Sequence, residues 1–423
     1  MVEYLPRIVD NILQDKLSYR GAVLIEGPKW CGKTSTGRRH SRSELDLSDP
    51  QTLKDATTIV SIDGKELLKG ETPRLIDEWQ DLPVLWDLIR NTVDRRSEFG
   101  QFILTGSAVP PNMNEVRHSG TGRIGRLMMR TMSLWESEES TGEISLSTLF
   151  DGETGMIGHN NFDLDRICYV IARGGWPMAI TLPPKGALMQ AIDYYNAVVN
   201  FDVARIGRSR LSPDFAKRFL RVYSRHIGYQ TPLTTLQKDL SEGGTRPDIE
   251  TVSTYINAFK DIFMIEEMQA WNTNLRSKTA VRTSPTRYFT DPSIACAAMG
   301  VGIGNIKTDL KALGMLFENL CVRDLRIYAQ SIDGNVYHYR DSAGLECDCI
   351  VSLHDGRYAL IEIKLGGDDN IKEGISNLNK LEAKIDYNRM PKPSFKMILT
   401  AVGSYGYRNS EGVWIVPIGT LKN

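Results

Sequence analysis

The feature that most constrains this chain is a glycine-rich stretch of nine residues near its amino terminus. An apolar run at residues 22–25 precedes it and predicts a buried strand, and residues 35–40 are able to turn into a helix. In the complete spacing G-x-x-x-x-G-K-[ST], the glycines let backbone N–H groups face one concave site, and the helix amino terminus adds positive charge. We therefore predict a phosphate-binding loop for a nucleoside triphosphate, with an ordinary glycine turn as the alternative. The predicted contacts are Gly27, Pro28, Lys29, Trp30, Cys31, Gly32, Lys33, Thr34 and Ser35.

Two carboxylates, Asp77 and Glu78, end the next short apolar segment, which predicts a strand whose carboxyl end lies beside this loop. Lys33 is expected to neutralise the β- and γ-phosphates of ATP, while Thr34 and Asp77 hold Mg²⁺. Glu78 is expected to polarise the attacking water. An Asp-Glu pair after apolar residues is common, and its position after the loop is what makes it informative.

A third apolar run, residues 101–107, ends in small polar residues. We predict that Thr105 and Ser107 contact the γ-phosphate, and a merely polar strand end is the alternative. The glycine- and arginine-rich residues 119–126 and the predicted strand 127–133 that follows supply candidates for an arginine finger that stabilises transition-state charge, from the same chain or from a neighbouring subunit. The candidates are Arg123, Arg126 and Arg130, and a solvated basic loop is the alternative.

Composition places few limits on partners. The net charge of the 423 residues is -1, so binding to nucleic acid would require a local basic patch. No apolar run is long enough to span a bilayer, and residues 1–20 lack a signal-peptide core, so no membrane partner is expected. The six cysteines are scattered, which favours reduced thiols and a cytoplasmic location.

The middle of the chain contains a basic run at residues 202–225, which would suit either a phosphate backbone or a solvated helix face. Two predicted helices, 233–240 and 247–260, and two predicted strands, 262–268 and 286–290, follow in the order of a winged helix-turn-helix. Because the second helix has few basic residues, we favour protein binding over DNA recognition as the role of this winged-helix module.

Near the carboxyl terminus, Glu362 and Lys364 lie in an apolar run that predicts a strand. Side chains alternate along a strand, so these two would point to one face. Burying a carboxylate and an amine is costly unless they are paired or bound to a metal, so a purely structural role needs a specific explanation.

At this point the motifs as a set resemble a known family. The segments GPKWCGKTS, RLIDEWQ and FILTGSA, followed by GR and MSLWES, resemble prokaryotic AAA+ ATPases whose carboxyl-terminal half is a domain of formerly uncharacterised function. The resemblance runs along the whole chain. It implies an ATPase core, a helical lid that includes the RGGWP segment at residues 173–177, a winged helix, a nuclease-like domain and self-association.

The order Glu318, Asp348, Glu362-x-Lys364 resembles the restriction-endonuclease-like PD-(D/E)xK core. That resemblance implies that Asp348 and Glu362 hold a divalent metal, with Glu318 as an auxiliary acid on the first core helix. It implies that Lys364 positions or activates water. Mg²⁺ suits such an all-oxygen site. The proline that precedes the aspartate in that motif is replaced here by Cys347.

The sequence therefore predicts an α/β protein with a P-loop AAA+ parallel sheet, a helical lid, a winged helix and a carboxyl-terminal α/β restriction-endonuclease-like domain. The expected domain ranges are 1–158, 159–228, 229–300 and 301–423. The predicted function is Mg²⁺-dependent ATP hydrolysis coupled to action on DNA or RNA by a homo-oligomer. The alternative is an ATP-switched signalling or scaffold assembly with a catalytically silent carboxyl-terminal domain.

Overall fold

The structure, a computed structural model, describes residues 4–106, 119–203, 211–242, 246–271 and 284–423. The chain divides into two compact units. The first contains the described residues up to Thr131 and the segment Ala258–Phe263, and the second contains the described residues of Met132–Ala204, Leu211–Asn257 and Met264–Asn423. Within the described ranges, no helix combines the length and apolar character that crossing a membrane requires.

A five-stranded parallel sheet forms the centre of the first unit. Its strands are β1 (Ala22–Glu26), β2 (Ser43–Asp46), β3 (Arg74–Asp77), β4 (Phe102–Gly106) and β5 (Ile124–Met128), in the spatial order β2-β3-β4-β1-β5. The helices are α1 (Ile8–Tyr19), α2 (Lys33–His40), α3 (Pro50–Asp63) and α4 (Val84–Arg96). This is a mixed α/β unit with the parallel sheet of a P-loop ATPase fold, as the sequence predicted.

Both faces of this sheet are covered, which explains why β1 and β4 are almost uniformly apolar. Ala22 and Leu24 pack into one buried cluster, while Val23 and Ile25 pack into another. Alternation along β1 thus divides its side chains between two cores. All carboxyl ends of the strands face the same edge, because every pair in the sheet is parallel.

The second unit contains a seven-stranded mixed sheet. Its strands are β7 (Gly158–His159), β8 (Gly334–Arg340), β9 (Glu346–Leu353), β10 (Tyr358–Lys364), β11 (Phe395–Thr400), β12 (Tyr405–Arg408) and β13 (Val413–Pro417), in the order β7-β12-β13-β11-β10-β9-β8. A separate parallel pair joins β6 (Ile144–Ser145) to β14 (Leu421–Lys422). Strands β10, β11 and β13 are mutually parallel, and the other neighbours are antiparallel.

Helices occupy most of the chain between these strands. They are α5 (Leu146–Phe150), α6 (Leu164–Arg173), α7 (Pro177–Thr181), α8 (Pro184–Ala197), α9 (Pro213–Tyr223), α10 (Leu233–Ser241), α11 (Ile249–Asp261), α12 (Pro292–Met299), α13 (Ile303–Thr308), α14 (Leu310–Gln330) and α15 (Asp368–Glu382). Helix α15 supplies the crossover that the parallel pair β10–β11 requires, and its Leu378 and Leu381 pack into the apolar core beside this sheet.

A buried ionic cluster joins distant segments of the second unit to α14. The Arg323 guanidinium lies 3.0 Å from Asp291 and 2.7 Å from Asp324. Asp291 also accepts the backbone N–H of Gly175, and Asp324 accepts that of Leu134. Three buried charges are thus held by mutual pairing and backbone hydrogen bonds, which is the condition for burying them at tolerable cost.

These contacts bear on the predicted domain ranges. Residues 132–158 group with the second unit, and so do the described parts of 159–228 that the sequence assigned to a lid of the ATPase. The compact units thus do not follow the predicted range 1–158, and all four predicted domain ranges stay predictions.

The winged helix also stays a prediction. Helices α9, α10 and α11 are present, but the two predicted strands of the wing are seen only as isolated antiparallel bridges. These bridges pair Ile265 with Phe289 and Met268 with Thr286. Segment 268–271 instead approaches β8, where the N–H of Trp271 donates to the carbonyl of His338 at 2.6 Å.

His338 on β8 is an unusual buried histidine. It is 3% exposed, and the Gln230 amide lies 2.8 Å from its Nδ1, while no described residue is hydrogen-bonded to its Nε2. Burial, together with the charge of Arg340, lowers the pKa of His338 from 6.5 to about 4. The folded chain therefore holds this imidazole in its neutral form at neutral pH.

We predict that His338 makes the protein less stable in acid. Between pH 6.5 and pH 4 the unfolded chain binds one more proton at this imidazole than the folded chain does, so the free energy of unfolding falls as the pH falls, by up to about 3 kcal/mol. His338→Asn should show a smaller loss of stability between pH 7 and pH 4.5 in urea denaturation. His354→Asn, at an exposed histidine after β9, serves as the control, and an unchanged pH dependence in His338→Asn would contradict the prediction.

Candidate nucleotide site and carboxyl-terminal acid centre

The loop between β1 and α2 depends on backbone conformations that favour glycine. Gly27 has φ +155°, and an added Cβ there would lie 2.0 Å from the Met129 carbonyl oxygen. Gly32 has φ +104° and directly precedes α2. Residues 27–32 of the nine-residue stretch therefore form the turn, and residues 33–35 are the first residues of α2. The remaining members of the stretch are Pro28, Lys29, Trp30, Cys31, Lys33, Thr34 and Ser35.

Lys33 is buried at the start of α2. Its ammonium donates hydrogen bonds to the carbonyl oxygens of Gly27, at 2.9 Å, and Pro28, at 2.8 Å. The side chain therefore folds back over the loop, which places its charge beside the turn that the glycines create.

The ends of α2, β3 and β4 meet at Asp77. Thr34 Oγ1 donates to Asp77 Oδ1 at 3.0 Å, and Thr105 Oγ1 donates to the same oxygen. Asp77 is 3% exposed. The structure therefore brings together Lys33, Thr34, Asp77 and Thr105, while Ser107 lies outside the described residues.

Glu78 follows Asp77 in a left-handed conformation, with φ +53°. The Gln80 amide donates to Glu78 Oε2, and an added Cβ on Gly106 at the end of β4 would lie 2.8 Å from Gln80 Oε1. Burial raises the pKa of Glu78 above its ordinary value, and the Gln80 hydrogen bond and the charge of Lys33 partly offset this. Gln80 was not identified from the sequence, although its position two residues after Glu78 was a usable signal.

A second set of carboxylates lies next to Asp77. Strands β2 and β3 pair Asp46 with Asp77, and the oxygens of Glu44, Asp46 and Asp77 lie within 4.8 Å of one another. Arg38 on α2 donates to Glu44 at 2.7 Å and to Asp46 at 3.0 Å. Sequence reasoning missed Glu44 and Asp46 because only strand pairing brings them to this edge.

The amino-terminal lead-in also supports the loop. Arg7 is 6% exposed, and its guanidinium donates to the carbonyl oxygens of Cys31 and Arg130, each at 2.8 Å. Cys31 Sγ in turn donates to the Met129 carbonyl at 3.4 Å. Arg7 therefore joins the loop to the segment after β5, a role with no signal in the sequence.

The structure does not bring Arg123 to the phosphate loop of its own chain. Arg123 pairs with Asp94 at 2.7 Å and precedes Ile124, which is in register with Ala22 at the amino-terminal end of β1. The loop follows the other end of β1, about 15 Å away at the ordinary rise per residue. Arg126 lies on β5, half exposed, and pairs with Glu26 at 2.8 Å. An arginine finger supplied to a neighbouring subunit stays a prediction.

The carboxyl-terminal acid centre lies where α14, β9 and β10 come together. Glu362 is 2% exposed and its carboxylate lies 2.9 Å from the Lys364 ammonium, as alternation along a strand predicted. Asp348 on β9 accepts the backbone N–H of Ile363 at 2.7 Å. Gly374 on α15 lies close to the Glu362–Lys364 pair. A Cβ added at Gly374 would lie 3.5 Å from Lys364 Cε.

Charge repulsion and desolvation perturb every acid of this centre. Burial and the nearby Asp348 raise the pKa of Glu318 to about 8 and that of Glu362 to about 8. Burial also raises the pKa of Asp348, which Lys364 partly offsets. Burial by itself lowers the pKa of Lys364, but Asp348 and Glu362 outweigh it and raise that pKa above its usual range. Perturbed acids that share one lysine are typical of a functional site.

The carboxylates of this centre are not as close together as those near Asp77. Within the described residues, one carboxylate oxygen from each of Glu44, Asp46 and Asp77 lies within 4.8 Å of the other two. The carboxylate oxygens of Glu318, Asp348 and Glu362 do not all come that close to one another. Cys347 and Cys349, which flank Asp348, are buried free thiols.

Comparison with known proteins separates the chain into three matched regions. Residues 19–138 match the family model of an AAA domain. Residues 164–304 match a domain of unknown function (DUF8612), and residues 313–421 match another (DUF4143).

The curated relatives carry no assigned activity. The chain is 24% identical over 345 residues to the uncharacterized proteins Rv2008c of Mycobacterium tuberculosis and Mb2031c of Mycobacterium bovis, which covers 81% of this chain and 70% of each relative. Among solved structures, it is similar to the Walker-type ATPase PABY2304 of Pyrococcus abyssi, with 15% identity and a TM-score of 0.44 over 68% of this chain and 94% of that one. The likeness to that structure is too weak to support a conclusion.

The AAA-domain match agrees with the loop, the parallel sheet and the placement of Lys33 and Asp77. The amino-terminal part of the chain is thus a P-loop ATPase domain of the AAA type, and it binds nucleotide.

We predict that Lys33→Ala weakens ATP binding by about tenfold or more. The change removes the ammonium group that would donate a charge-assisted hydrogen bond to a phosphate. Binding of a fluorescent ATP analogue measures the change. Arg39→Ala is the matched control, since it removes an exposed cation from the same helix. Full ATP affinity in Lys33→Ala would contradict the role given to this lysine.

Proposed function

We propose that this protein, whose amino-terminal part is an AAA-type ATPase domain, hydrolyses ATP with Mg²⁺ and couples that cycle to a carboxyl-terminal domain that acts on nucleic acid. The observation that carries the ATPase part is the convergence of Thr34, Thr105 and Asp77 beside Lys33. Hydroxyl, carboxylate and ammonium groups then meet where the phosphates of a bound nucleotide would lie.

The donor set beside the loop fits Mg²⁺. Thr34 and Asp77 offer hydroxyl and carboxylate oxygens, the ligands that this ion prefers, and they are already 3.0 Å apart. Bound Mg²⁺ would supply charge neutralisation at the phosphates. Lys33 would orient the same phosphates, and Thr105 would hold Asp77 in place through its hydrogen bond to Oδ1.

Glu78 is the residue that we assign to the attacking water. It lies directly after Asp77 at the carboxyl edge of β3, and the hydrogen bond from Gln80 fixes one of its two oxygens. The other oxygen is available to accept a proton from water, which is how a positioned carboxylate acts as a general base.

We predict that Glu78→Gln lowers the turnover number for ATP at least about 100-fold and leaves ATP affinity nearly unchanged, because the amide keeps the shape but loses the basic oxygen. Phosphate release under single-turnover conditions measures the chemical step. Glu71→Gln, at an exposed glutamate of the same unit, is the control. Wild-type turnover in Glu78→Gln would show that another group orients the water.

For the carboxyl-terminal centre we propose metal-dependent hydrolysis of a phosphodiester, in DNA or RNA. Glu318, Asp348 and Glu362 supply three carboxylates against the single ammonium of Lys364, an excess of acid in a partly buried place. A divalent cation would balance that charge, and the all-oxygen donor set suits Mg²⁺. Asp348 and Glu362 would turn towards an ion beside Glu318, since the three carboxylates do not form a compact group without it.

The roles within this centre follow from the contacts. The backbone N–H of Ile363 orients Asp348, which with Glu362 would hold the metal. Lys364, paired with Glu362 at 2.9 Å, would position the water or the scissile phosphate. The order α14, β8, β9, β10, α15, β11 supports the restriction-endonuclease-like fold that the sequence predicted.

A silent carboxyl-terminal domain in an ATP-switched assembly is the second candidate function. The separation of the three carboxylates and the net charge of -1 favour it. Homo-oligomerisation belongs to both proposals, because Arg123 lies at the far end of β1 from the loop of its own chain and would reach a nucleotide only in a neighbouring copy.

We predict that Asp348→Asn removes Mn²⁺- or Mg²⁺-dependent cleavage of single- and double-stranded DNA and RNA while ATP turnover stays within about twofold of wild type, because the metal ligand that is lost belongs to the other compact unit from the nucleotide loop. Asp355→Asn, an exposed aspartate in the turn after β9, is the control. Cleavage that persists in Asp348→Asn would show that the centre is wrongly placed. Absence of cleavage by the wild type on every substrate, with ATPase activity intact, would favour the silent domain.

A further inference from the structure

Glu318 is held by residues that come from outside the carboxyl-terminal segment. The hydroxyl of Tyr288 donates to Glu318 Oε1 at 2.6 Å, and Tyr288 is 1% exposed. Tyr288 lies in the region 164–304, whereas Glu318, Asp348 and Glu362 lie in the region 313–421. Two regions that match separate families therefore contribute to one group of side chains within the second unit.

Tyr288 is also held in place by contacts other than its hydrogen bond to Glu318. Its carbonyl oxygen accepts the N–H of Glu266 at 2.9 Å, and the Arg326 guanidinium lies over its ring, 5.6 Å from the centroid. Arg326 belongs to α14, two helical turns after Glu318, and donates to the Glu267 carbonyl at 3.1 Å. The ring is thus held on α14 by a cation–π contact while its hydroxyl is directed at Glu318.

A turn at Gly228 closes the other side of the Glu318 carboxylate. Gly228 has φ +77°, and an added Cβ would lie 2.7 Å from Glu318 Oε2 and 2.8 Å from Oε1. The N–H of Gly228 donates to the carbonyl of Arg287, the residue before Tyr288, at 3.0 Å. The two supports of Glu318 are therefore joined to each other, and a side chain at position 228 would displace the carboxylate.

We propose that Tyr288 is a positioning residue of the carboxyl-terminal centre, which with the Gly228 turn holds Glu318 beside Asp348 so that it serves as the auxiliary metal ligand. This inference depends on the metal-dependent hydrolysis proposed above. Its physical basis is that a hydrogen-bonded second shell orients ligands, and the loss of one such partner commonly weakens metal binding about 10- to 100-fold. The region 164–304 would accordingly support one acid of the centre rather than only connect two domains.

The test is Mn²⁺ binding by the full-length protein without nucleotide, measured by calorimetry in wild type, Asp348→Asn, Tyr288→Phe and Tyr358→Phe. The sites lost in Asp348→Asn are those of the carboxyl-terminal centre. Tyr288→Phe keeps the ring and its packing and removes only the hydroxyl. Tyr358→Phe is the matched control, because Tyr358 is also 1% exposed and its hydroxyl donates to the Pro391 carbonyl at 2.7 Å, away from the acids.

We expect Tyr288→Phe to raise the dissociation constant for Mn²⁺ at these sites about tenfold or more, with the melting temperature close to that of Tyr358→Phe and with unchanged ATP turnover. Gly228→Ala, which drives a methyl group towards the carboxylate, should weaken the same sites. Wild-type affinity in Tyr288→Phe, with loss of binding in Asp348→Asn, would overturn the positioning role and leave the metal centre intact. Equal Mn²⁺ binding by wild type and Asp348→Asn would overturn the metal centre itself, and the role of Tyr288 with it.

Discussion

Parallel pairing between strands controls the chemistry of the first unit. Because β1, β3 and β4 run in one direction, the glycine loop, Asp77 and Thr105 all emerge at the same edge of the sheet. A single carboxylate then accepts hydroxyl groups from two different elements, which fixes the end of α2 relative to the end of β4. The position of Lys33 depends on the same geometry, since α2 begins where the loop ends.

The second unit is organised around α14. From Asn319 to Ala329 almost every side chain of this helix is buried, so it has to satisfy polar groups inside the protein. Arg323 does this by pairing with Asp291 and Asp324, which in turn accept backbone N–H groups from Gly175 and Leu134. The segments with the sequences MSLWES and RGGWP therefore serve as attachments to α14 in this structure.

The two candidate centres of the chain use charge in different ways. Beside the nucleotide loop, Asp77 is held by the hydroxyl groups of Thr34 and Thr105. In the carboxyl-terminal centre, three carboxylates lie near one ammonium, and burial together with the charge of Asp348 raises the pKa of Glu318 and Glu362. Ionising these acids in a buried place is unfavourable, and a bound cation would offset that cost. Tyr288 and Gly228 support Glu318.

The sequence by itself determined the local features of both centres. The loop spacing specified the turn before α2, and the apolar runs specified the strands of the surrounding sheet. Alternation along β10 placed Glu362 and Lys364 on one face. These features depend on residues close together in the chain, so short-range periodicity and spacing suffice to predict them.

Only the tertiary structure decided which distant residues join them. Asp46 reaches Asp77 because β2 pairs with β3, and Arg123 lies away from the loop because of the register of β5. Tyr288 reaches Glu318 from 30 residues away because segment 286–289 packs on α14. Packing and strand order bring such residues together, and neither is encoded in local spacing.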